Sequence, residues 1–338
     1  MQCYANPLLC ILYLTTRCGG RCRHCTVRSD VRYRFNRGID ATYDTVIRRI
    51  WECKELGIKF IELTGGDPLL FERLPEVLTL CQELGLLAIL SVSGPMIVKR
   101  LQDWGEEWIK LPWLLRFSID GGKAYHDSNR GEGFYETACI GLEVASRVRP
   151  EGTTQLMFTI VPGESGNLRN DQFESVFQLA EKSLAHVNVN PMFGTEFSET
   201  KKRCDELWAS LSWEEKLILN RLTGQELVIE QSLAKIDFLL SGGNDLLLPT
   251  CCAAEAVVTI SANDSLVKPC WHSQYSIIPI GERGLRVAAL ESDVEQSCFG
   301  QSGKFSFCDG CAVWCNLGPS KAYSLSDPTL QRLVISGT

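Results

Sequence analysis

The chain has 338 residues, of which 45% are apolar and 22% charged, values that are ordinary for a globular protein with a sizeable core. Its net charge of −7 opposes the broad basic surface that nucleic-acid binding requires, so we expect no nucleic-acid partner. No uncharged apolar run reaches the roughly eighteen residues of a membrane span, so we expect no membrane partner either.

Sixteen cysteines are the unusual feature of this composition. Disulfide-rich secreted scaffolds are short, whereas a long chain with continuous apolar segments favours a reducing cytoplasm, where clustered thiols indicate metal or redox chemistry. Three cysteines lie within residues 18–25, and seven lie in the last quarter of the chain. The other six lie in apolar or helical segments and are predicted to be inert: Cys3, Cys10, Cys53, Cys81, Cys139 and Cys204.

Short apolar runs alternate with segments of helical periodicity over the first two hundred residues, a pattern typical of parallel α/β proteins. The predicted strands are Leu8–Leu14, Ile58–Leu63, Leu86–Val92, Leu114–Ile119, Gln155–Val161 and Ala185–Val189. The predicted helices are Asp40–Leu56, Phe71–Leu84, Met96–Trp104, Phe134–Val148 and Asp171–Lys182. Six repeats are too few to close an eight-stranded barrel, so we predict an open, partial (β/α)6 barrel with ligands at the carboxyl ends of its strands.

The chain changes character after this region. Residues 196–245 are helical and polar in pattern, and the glycines at 242 and 243 then precede a cysteine-rich region of short strands and turns. We therefore predict a barrel over residues 1–195, a helical connector over 196–245 and a smaller α+β domain over 246–338.

The segment TTRCGGRCRHC follows the first predicted strand and spaces Cys18, Cys22 and Cys25 as CxxxCxxC. Three thiolates on one loop can hold three irons of a cubane and leave the fourth iron open, and glycines let the loop wrap closely around it. Zinc is the alternative, since soft thiolates also select it. A zinc site needs a fourth ligand, however, and His24 is poorly placed between two of the others.

This motif resembles the defining motif of the radical S-adenosylmethionine (SAM) family. The resemblance implies that the open iron of a [4Fe–4S] cluster chelates SAM. An electron donor such as flavodoxin or ferredoxin then drives cleavage to methionine and a 5′-deoxyadenosyl radical, which abstracts hydrogen from a substrate. His24 stands where the family usually places an aromatic residue near the adenine.

Three further segments resemble SAM-binding motifs of the same family. The GGDP sequence at residues 65–68 is similar to its GGEP motif, and Ser93 stands where relatives carry Asn before Gly. The sequence RFSIDG, at residues 116–121, is similar to the RxSxDG segment of the peptide-modifying branch, as is the HDSNRGEGF that follows. The resemblance implies SAM contacts at His24, Gly65, Gly66, Asp67, Pro68, Ser93, Ser118 and Asp120.

The C-terminal cysteines resemble the auxiliary-cluster domains called twitch and SPASM. Counted from Cys252, Ser265 takes the place of the usual glycine and Cys270 follows at the expected distance. No cysteine follows Cys315, which favours one auxiliary [4Fe–4S] cluster over the two of a full SPASM domain, with structural zinc as the alternative. The candidate ligands are Cys252, Cys270, Cys308, Cys311 and Cys315, with Cys251 and Cys298 in reserve.

The resemblance favours a maturase that crosslinks, epimerises or excises part of a ribosomally made precursor peptide. The alternative is a dehydrogenase or oxidase of a small molecule or a protein side chain, and a non-catalytic cluster protein is the remote third reading. Seventeen residues precede Cys18, so we expect no fused recognition domain and a separate small recognition protein.

No catalytic residue follows from the sequence. Acidic residues that could act as a general base are Asp120, Asp127, Glu164 and Glu196. Arg130 is a candidate contact for a substrate carboxylate, with a surface role as the alternative.

Overall fold

A computed structural model describes residues 7–25, 38–193, 208–222, 230–268, 270, 276–289, 302–311, 318–320, 322, 331–332 and 335. The chain divides into two compact units. The first unit comprises Met1–Arg17, Asn36–Ile89 and Ser241–Ser336. The second comprises Cys18–Phe35, Leu90–Leu240 and the last two residues of the chain.

The strands of the described residues are β1 (Leu9–Thr15), β2 (Phe60–Gly65), β3 (Leu87–Val92), β4 (Leu114–Ser118), β5 (Thr154–Ile160), β6 (His186–Pro191), β7 (Val257–Ile260), β8 (Ser265–Lys268) and β9 (Ser276–Pro279). The helices with defined bounds are α1 (Tyr43–Glu55), α2 (Leu74–Glu83), α3 (Met96–Trp104), α4 (Glu107–Lys110), α5 (Lys123–Arg130), α6 (Phe134–Val148), α7 (Asn170–Lys182), α8 (Trp213–Leu222), α9 (Glu230–Leu240) and α10 (Ala253–Ala256).

All six predicted strands and all five predicted helices are confirmed, each within three residues at either end. Two helices of the same region were not predicted. Helix α4 has only four residues, and α5 has the sequence KAYHDSNR, which carries too few apolar residues for a periodic signal.

The first unit is built around β1, all seven residues of which are buried. β1 pairs in parallel with β2 on one side and with β7 on the other, so that Leu9 lies beside both Phe60 and Val257. β7, β8 and β9 continue as antiparallel neighbours. Helix α1 begins after Thr42, whose Oγ1 accepts a hydrogen bond from the Thr45 amide at 3.3 Å, an N-cap that satisfies an otherwise unpaired donor.

The second unit contains β4, β5 and β6, which pair in parallel in that order. One face of these strands is apolar, and a Cβ added at Gly141 of α6 would lie 2.5 Å from the Phe117 ring, so the small residue lets helix and sheet approach closely. The opposite face is polar: Gln155 Oε1 accepts hydrogen bonds at 3.2 Å from both Arg116 Nε and Asn188 Nδ2. The predicted α/β class with a parallel-sheet core is therefore confirmed.

The C-terminal region contributes to the first unit. Because β7 pairs with β1, part of the predicted 246–338 domain belongs to the first unit, and the compact units divide the chain within β3 and after Leu240. The predicted domain boundaries stay predictions. None of the helices in the described ranges combines the length and the apolar character needed to cross a membrane.

Candidate functional site

The first group of thiols lies on the loop that follows β1. Cys18 is exposed, and Cys22 and Cys25 are half-buried. A Cβ added at Gly20 would lie 3.4 Å from Cys22 Sγ and 3.5 Å from Cys18 Sγ, so both sulfurs lie around this glycine. The Gly20 amide also points toward Cys18 Sγ, at 3.3 Å. The loop therefore supplies soft donors around a residue without a side chain, an arrangement that fits an iron–sulfur cluster.

Within the parts of the chain that the structure describes, no three Cys, His, Asp or Glu side chains are arranged as ligands of a single metal ion. In a cubane each thiolate binds a different iron, so its sulfurs do not have to meet at one point.

Helix α5 contacts the cysteine loop through its last two residues. The Arg21 amide donates to the Arg130 carbonyl at 2.7 Å, and the Arg23 amide donates to Asn129 Oδ1 at 3.0 Å. These two donors lie on either side of Cys22 in the sequence. The end of α5 therefore holds the backbone of the loop on both sides of a candidate ligand.

A buried ion pair lies at this junction. Asp120 accepts hydrogen bonds from Arg130 Nε at 2.5 Å and from Arg130 Nη2 at 2.8 Å, and both residues are buried. Asn129 Nδ2 donates to the same carboxylate at 2.7 Å and lies 3.1 Å from His24 Nδ1. The carboxylate is thus engaged by its neighbours, and the predicted contact between Asp120 and SAM stays a prediction.

Each residue of this pair stabilises the charged form of the other. Burial opposes ionisation of Asp120, but the Arg130 guanidinium, followed by His24, holds the pKa of the carboxyl well below its usual range. Burial also lowers the pKa of His24 to about 4, so its ring is neutral at pH 7. Burial raises the pKa of the Cys22 thiol, and Arg130 opposes that rise, which places the guanidinium within interaction range of the thiol.

The Phe134 ring packs against the cysteine loop at Gly20. It is buried, at 6% exposure, and three glycines face it. A Cβ at Gly94 would lie 2.5 Å from the ring, one at Gly131 2.8 Å away and one at Gly20 3.5 Å away. Of the remaining predicted SAM contacts of this unit, Ser93 is half-buried and Ser118 is buried as the last residue of β4.

The GGDP segment lies in the first unit, at the end of β2. Gly65 has a φ of +149°, and a Cβ there would overlap the Thr15 carbonyl oxygen. The next two amides donate to β1 and its extension: Gly66 N to Thr15 O and Asp67 N to Arg17 O, each at 2.8 Å. Gly65 is therefore required by the close approach of β2 to β1, which is a structural reason for this glycine of the motif besides the predicted SAM contact.

Asp67 and Pro68 begin a short 3-10 turn, Pro68–Leu70. Asp67 Oδ1 accepts from the Leu69 amide at 3.0 Å, and the side chain is buried at 6% exposure. The Asp67 carboxylate thus caps the turn. The related motif has Glu at this position, and the shorter Asp of GGDP reaches the Leu69 amide.

The second group of thiols lies in the first unit. Burial raises the pKa of the Cys251 thiol well above its usual range, and a hydrogen bond from the Ala253 backbone opposes the rise. The thiols that add to the rise are those of Cys270, Cys311 and Cys308. An electrostatic effect of this kind requires proximity, so these thiols lie within electrostatic range of Cys251.

The neighbouring Cys252 has different surroundings. Its amide donates to Ser320 Oγ at 2.9 Å, and its thiol points to the Ser320 carbonyl at 3.7 Å. Burial raises the pKa of Cys252, and the largest opposing effect comes from Ser320.

Asn244 joins the segments that carry these thiols. It is buried at 3% exposure, and its Nδ2 donates to the carbonyls of Gly303 at 2.7 Å and Cys308 at 3.2 Å. Its Oδ1 accepts from the amide of Thr250, the residue before Cys251, at 3.2 Å. Its own amide and carbonyl bond to the Cys308–Cys311 turn as well.

Several predicted residues have other roles or lie elsewhere. Arg130 is buried and pairs with Asp120, so the predicted surface role is wrong, and its contact with a substrate carboxylate stays a prediction. Asp127 Oδ1 accepts from the Tyr135 amide at 2.8 Å, and Glu164 is exposed. The residues that lie outside the described ranges are Glu196, Cys298, Cys315, Cys3 and Cys204.

Of the cysteines predicted to be inert, four lie in the described residues, and three of these are buried. Cys10, Cys53 and Cys81 are fully inaccessible, and burial raises the pKa of Cys81 to about 12. Cys139 is half-buried. The prediction is confirmed for the three buried cysteines.

Sequence reasoning missed Asn129, Phe134 and Asn244 as individual residues. The first two lie in the HDSNRGEGF segment, which was singled out only as a whole, and Asn244 follows two glycines that were treated as a break. Each acts through contacts that form only in the folded chain.

The three-cysteine loop directly follows the carboxyl end of the first strand of a parallel α/β core, and ligands of such proteins bind at the carboxyl ends of the strands. Residues 12–172 match the Radical SAM superfamily, so this part of the chain is a domain of that superfamily. Such a domain implies SAM and a [4Fe–4S] cluster as cofactors.

Curated relatives match parts of the chain. GTP 3′,8-cyclase of Clostridium perfringens is 27% identical over 107 residues, which is 29% of this chain and 30% of that protein. Fe-coproporphyrin III synthase of Methanosarcina barkeri is 27% identical over 176 residues, or 50% of this chain and 40% of that protein. The matches thus span less than half of these relatives.

Solved structures are similar in fold. Streptococcus suis SuiB bound to S-adenosylmethionine has a TM-score of 0.54 at 13% identity, covering 79% of this chain and 61% of that one. The protein anSMEcpe with bound AdoMet has a TM-score of 0.59 at 13% identity, covering 92% of this chain and 84% of that one. At this identity the likeness concerns the fold alone.

Proposed function

We propose that this chain cleaves SAM reductively and uses the resulting radical to abstract hydrogen from a ribosomally made precursor peptide. The peptide would be crosslinked, epimerised or shortened by excision of a backbone fragment. The observation that supports a peptide is the likeness in fold to two proteins solved with peptides. They are SuiB bound to precursor peptide SuiA, with a TM-score of 0.53, and anSMEcpe with the Cp18Cys peptide, with a TM-score of 0.55.

The proposed reaction balances as follows. A [4Fe–4S] cluster on Cys18, Cys22 and Cys25 would supply one electron, received from a donor such as flavodoxin or ferredoxin, to the C–S bond of SAM. Methionine would leave, and the 5′-deoxyadenosyl radical would take a hydrogen atom from the peptide to give 5′-deoxyadenosine and a peptide radical. In a crosslinking reaction this radical would lose one electron to the auxiliary cluster proposed below, and one proton, as the new bond forms. The proposal includes a cytoplasmic location and a separate small protein that recognises the peptide.

A second candidate function is the oxidation or rearrangement of a small molecule. The observation that favours it is that the curated relatives are named for GTP and for coproporphyrin. The substrate distinguishes the two candidates, since both begin with the same cleavage of SAM.

We further propose an auxiliary [4Fe–4S] cluster on Cys251, Cys270, Cys308 and Cys311. Asn244 supports this set, because it bonds to the Thr250 amide beside Cys251 and to the Cys308 carbonyl. The electrostatic influence of the other three thiols on Cys251 favours it over Cys252, the first candidate from the sequence. Asn244 would hold the segments together whether or not metal is bound, because its bonds are to backbone groups. Cys315 and Cys298 remain candidate ligands outside the described residues.

Measurements of iron content and of SAM cleavage test the proposed activity. The anaerobically reconstituted chain should hold about eight irons, and the triple variant Cys18→Ala, Cys22→Ala, Cys25→Ala about four. Reduced with dithionite, the chain should release 5′-deoxyadenosine slowly even without substrate. Zinc in place of iron, or unchanged iron in the triple variant, would overturn the proposal.

The peptide is tested by mass spectrometry. Short peptides encoded beside the gene should change mass and raise the rate of 5′-deoxyadenosine formation. A rise with GTP or a porphyrin, and none with any peptide, would favour the second candidate.

A matched pair of variants tests the auxiliary ligands. Cys251→Ala should lose about four irons, whereas Cys252→Ala, its neighbour in the sequence, should retain about eight. The reverse result would show that Cys252 is the ligand.

A further inference from the structure

The cysteine loop meets a buried pair of opposite charges. Asp120 is fully inaccessible and Arg130 is 6% exposed, and two hydrogen bonds join them. Burying two charges costs solvation that a well-formed pair only partly recovers, so such a pair is weak grounds for stability alone. Its position beside the cysteine loop allows it to act electrostatically on that loop.

Three contacts fix the pair against the loop. The Arg130 carbonyl accepts from the Arg21 amide at 2.7 Å. Asn129 links the Arg23 amide, at 3.0 Å, to the Asp120 carboxylate, at 2.7 Å. Arg130 Nη2 also lies 3.5 Å from His24 Nε2, and His24 directly precedes Cys25.

The two charges are not equivalent toward the loop. Arg130 contacts it directly, through its carbonyl to the Arg21 amide and through Nη2 to His24, whereas the Asp120 carboxylate is linked to it through Asn129. The positive end of the pair is therefore the one in direct contact with the segment that carries the candidate ligands.

We propose that the Asp120–Arg130 pair raises the reduction potential of the cluster on this loop, and that Asn129 positions the loop against the pair. This inference rests on the proposed SAM cluster. A reduced cluster carries one more negative charge than an oxidised one, so a nearby buried cation stabilises the reduced form. In this inference Arg130 and Asp120 act through the cluster and are positioning residues.

Opposite shifts in potential test the electrostatic part. We expect Arg130→Gln to move the midpoint potential to a more negative value and Asp120→Asn to a more positive one. Arg130→Lys, which keeps the charge, should stay near the wild type. The measurement is an EPR-monitored redox titration of the full chain, with the SAM-binding cluster identified by the change that added SAM makes in its spectrum.

Arg147→Gln is the control, because it removes the same charge from a side chain that is 53% exposed and therefore screened by solvent. Its potential should equal that of the wild type. Equal potentials in Arg130→Gln and Asp120→Asn, or shifts in the same direction, would overturn the proposal. A purely structural role would instead lower iron content in both variants without moving the potential of the remaining cluster.

The double variant Asp120→Asn, Arg130→Gln covers the case in which the single variants do not fold, because it leaves no unpaired buried charge. Its potential should lie between those of the wild type and Arg130→Gln, and equality with the wild type would contradict the inference. If the wild type showed no EPR signal that responds to SAM, the proposed function itself would be contradicted, and not only this inference.

The positioning role of Asn129 is tested by the loss of iron to a chelator. Asn129→Ala should release iron several-fold faster than the wild type, because the Arg23 amide loses its acceptor. Ser128→Ala is the control, since Ser128 Oγ bonds only within its own helix, to the Tyr125 carbonyl. Equal rates in the two variants would show that Asn129 does not hold the loop.

Discussion

Gly65 shows how a single residue constrains the end of β2. Its φ of +149° is outside the range that side-chain-bearing residues readily adopt, and a Cβ would overlap the Thr15 carbonyl oxygen. Strain of this kind costs about 1–3 kcal/mol, and a backbone atom cannot move aside cheaply. Gly65→Ala should therefore lower the free energy of unfolding by at least about 2 kcal/mol, measured by urea denaturation, and weaken SAM binding.

Gly19 is the control for this substitution. It has no atom within 4 Å of an added Cβ and no positive φ, so Gly19→Ala should change stability by less than about 0.5 kcal/mol. If Gly65→Ala were as stable as Gly19→Ala, the close approach of β2 to β1 would not constrain this position.

His126 makes the protein sensitive to acid. Its Nδ1 accepts from the Asp120 amide at 3.1 Å, which requires a neutral ring, and burial lowers its pKa to about 4. The unfolded chain, with a histidine pKa near 6.5, therefore binds the proton first, and stability falls as pH drops from about 6.5 to about 4. Each unit of pKa shift corresponds to about 1.4 kcal/mol, so the loss amounts to a few kcal/mol.

His126→Asn preserves an acceptor near the Nδ1 position but does not titrate. Urea unfolding of the cluster-free protein at several pH values should show a shallower loss of stability in this variant than in the wild type. The loss should persist in part, because the pKa of His24 is lowered in the same way. An unchanged slope would contradict the assignment to His126.

At the scale of elements, the junction of α5 and α6 supports the cysteine loop through one aromatic ring. Phe134 opens α6, and Gly20 of the loop and Gly94 after β3 both pack against it. Phe134→Ala should cost about 3–5 kcal/mol of unfolding free energy and lower the iron retained after reconstitution, because the loop loses its support.

Phe134→Leu provides the comparison. It retains most of the apolar volume and should cost less than about 1.5 kcal/mol, with iron content close to that of the wild type. Thermal unfolding and iron analysis of both variants check the expectation. Loss of stability in Phe134→Ala without loss of iron would show that the ring stabilises the helices but not the loop.

At the scale of the whole molecule, the two groups of thiols should be separable. Cys308→Ala with Cys311→Ala should remove about four irons and leave the group at Cys18, Cys22 and Cys25 loaded. Release of 5′-deoxyadenosine should persist, whereas modified substrate should not form, because the auxiliary cluster would take up an electron from the substrate or anchor it. Chromatography of both products measures this.

A structural role for the auxiliary cluster gives a different result. The double variant would then be insoluble or would melt early and lose both activities together, since metal-binding energy at such sites is also folding energy. A soluble double variant that forms full product would show that the cluster is dispensable.

Much of the fold could be predicted from the sequence because its signals are local. The strand over Leu9–Thr15 is an unbroken apolar run, and α6 carries apolar residues at helical spacing. Helix α5 gave no such signal, since its sequence is almost wholly polar and its His126, Asn129 and Arg130 are buried by contacts with other segments.

The sequence by itself determined the three-cysteine loop and its place directly after β1, because spacing along the chain is a local property. Only the tertiary structure distinguishes the surroundings of Cys251 and Cys252, since adjacent residues have nearly the same spacing to Cys270. The surroundings of each depend on distant partners: Ser320 bonds to Cys252, and Asn244 bonds to the backbone beside Cys251. The ion pair of Arg130 likewise could not be predicted, because only folding brings Asp120 to it.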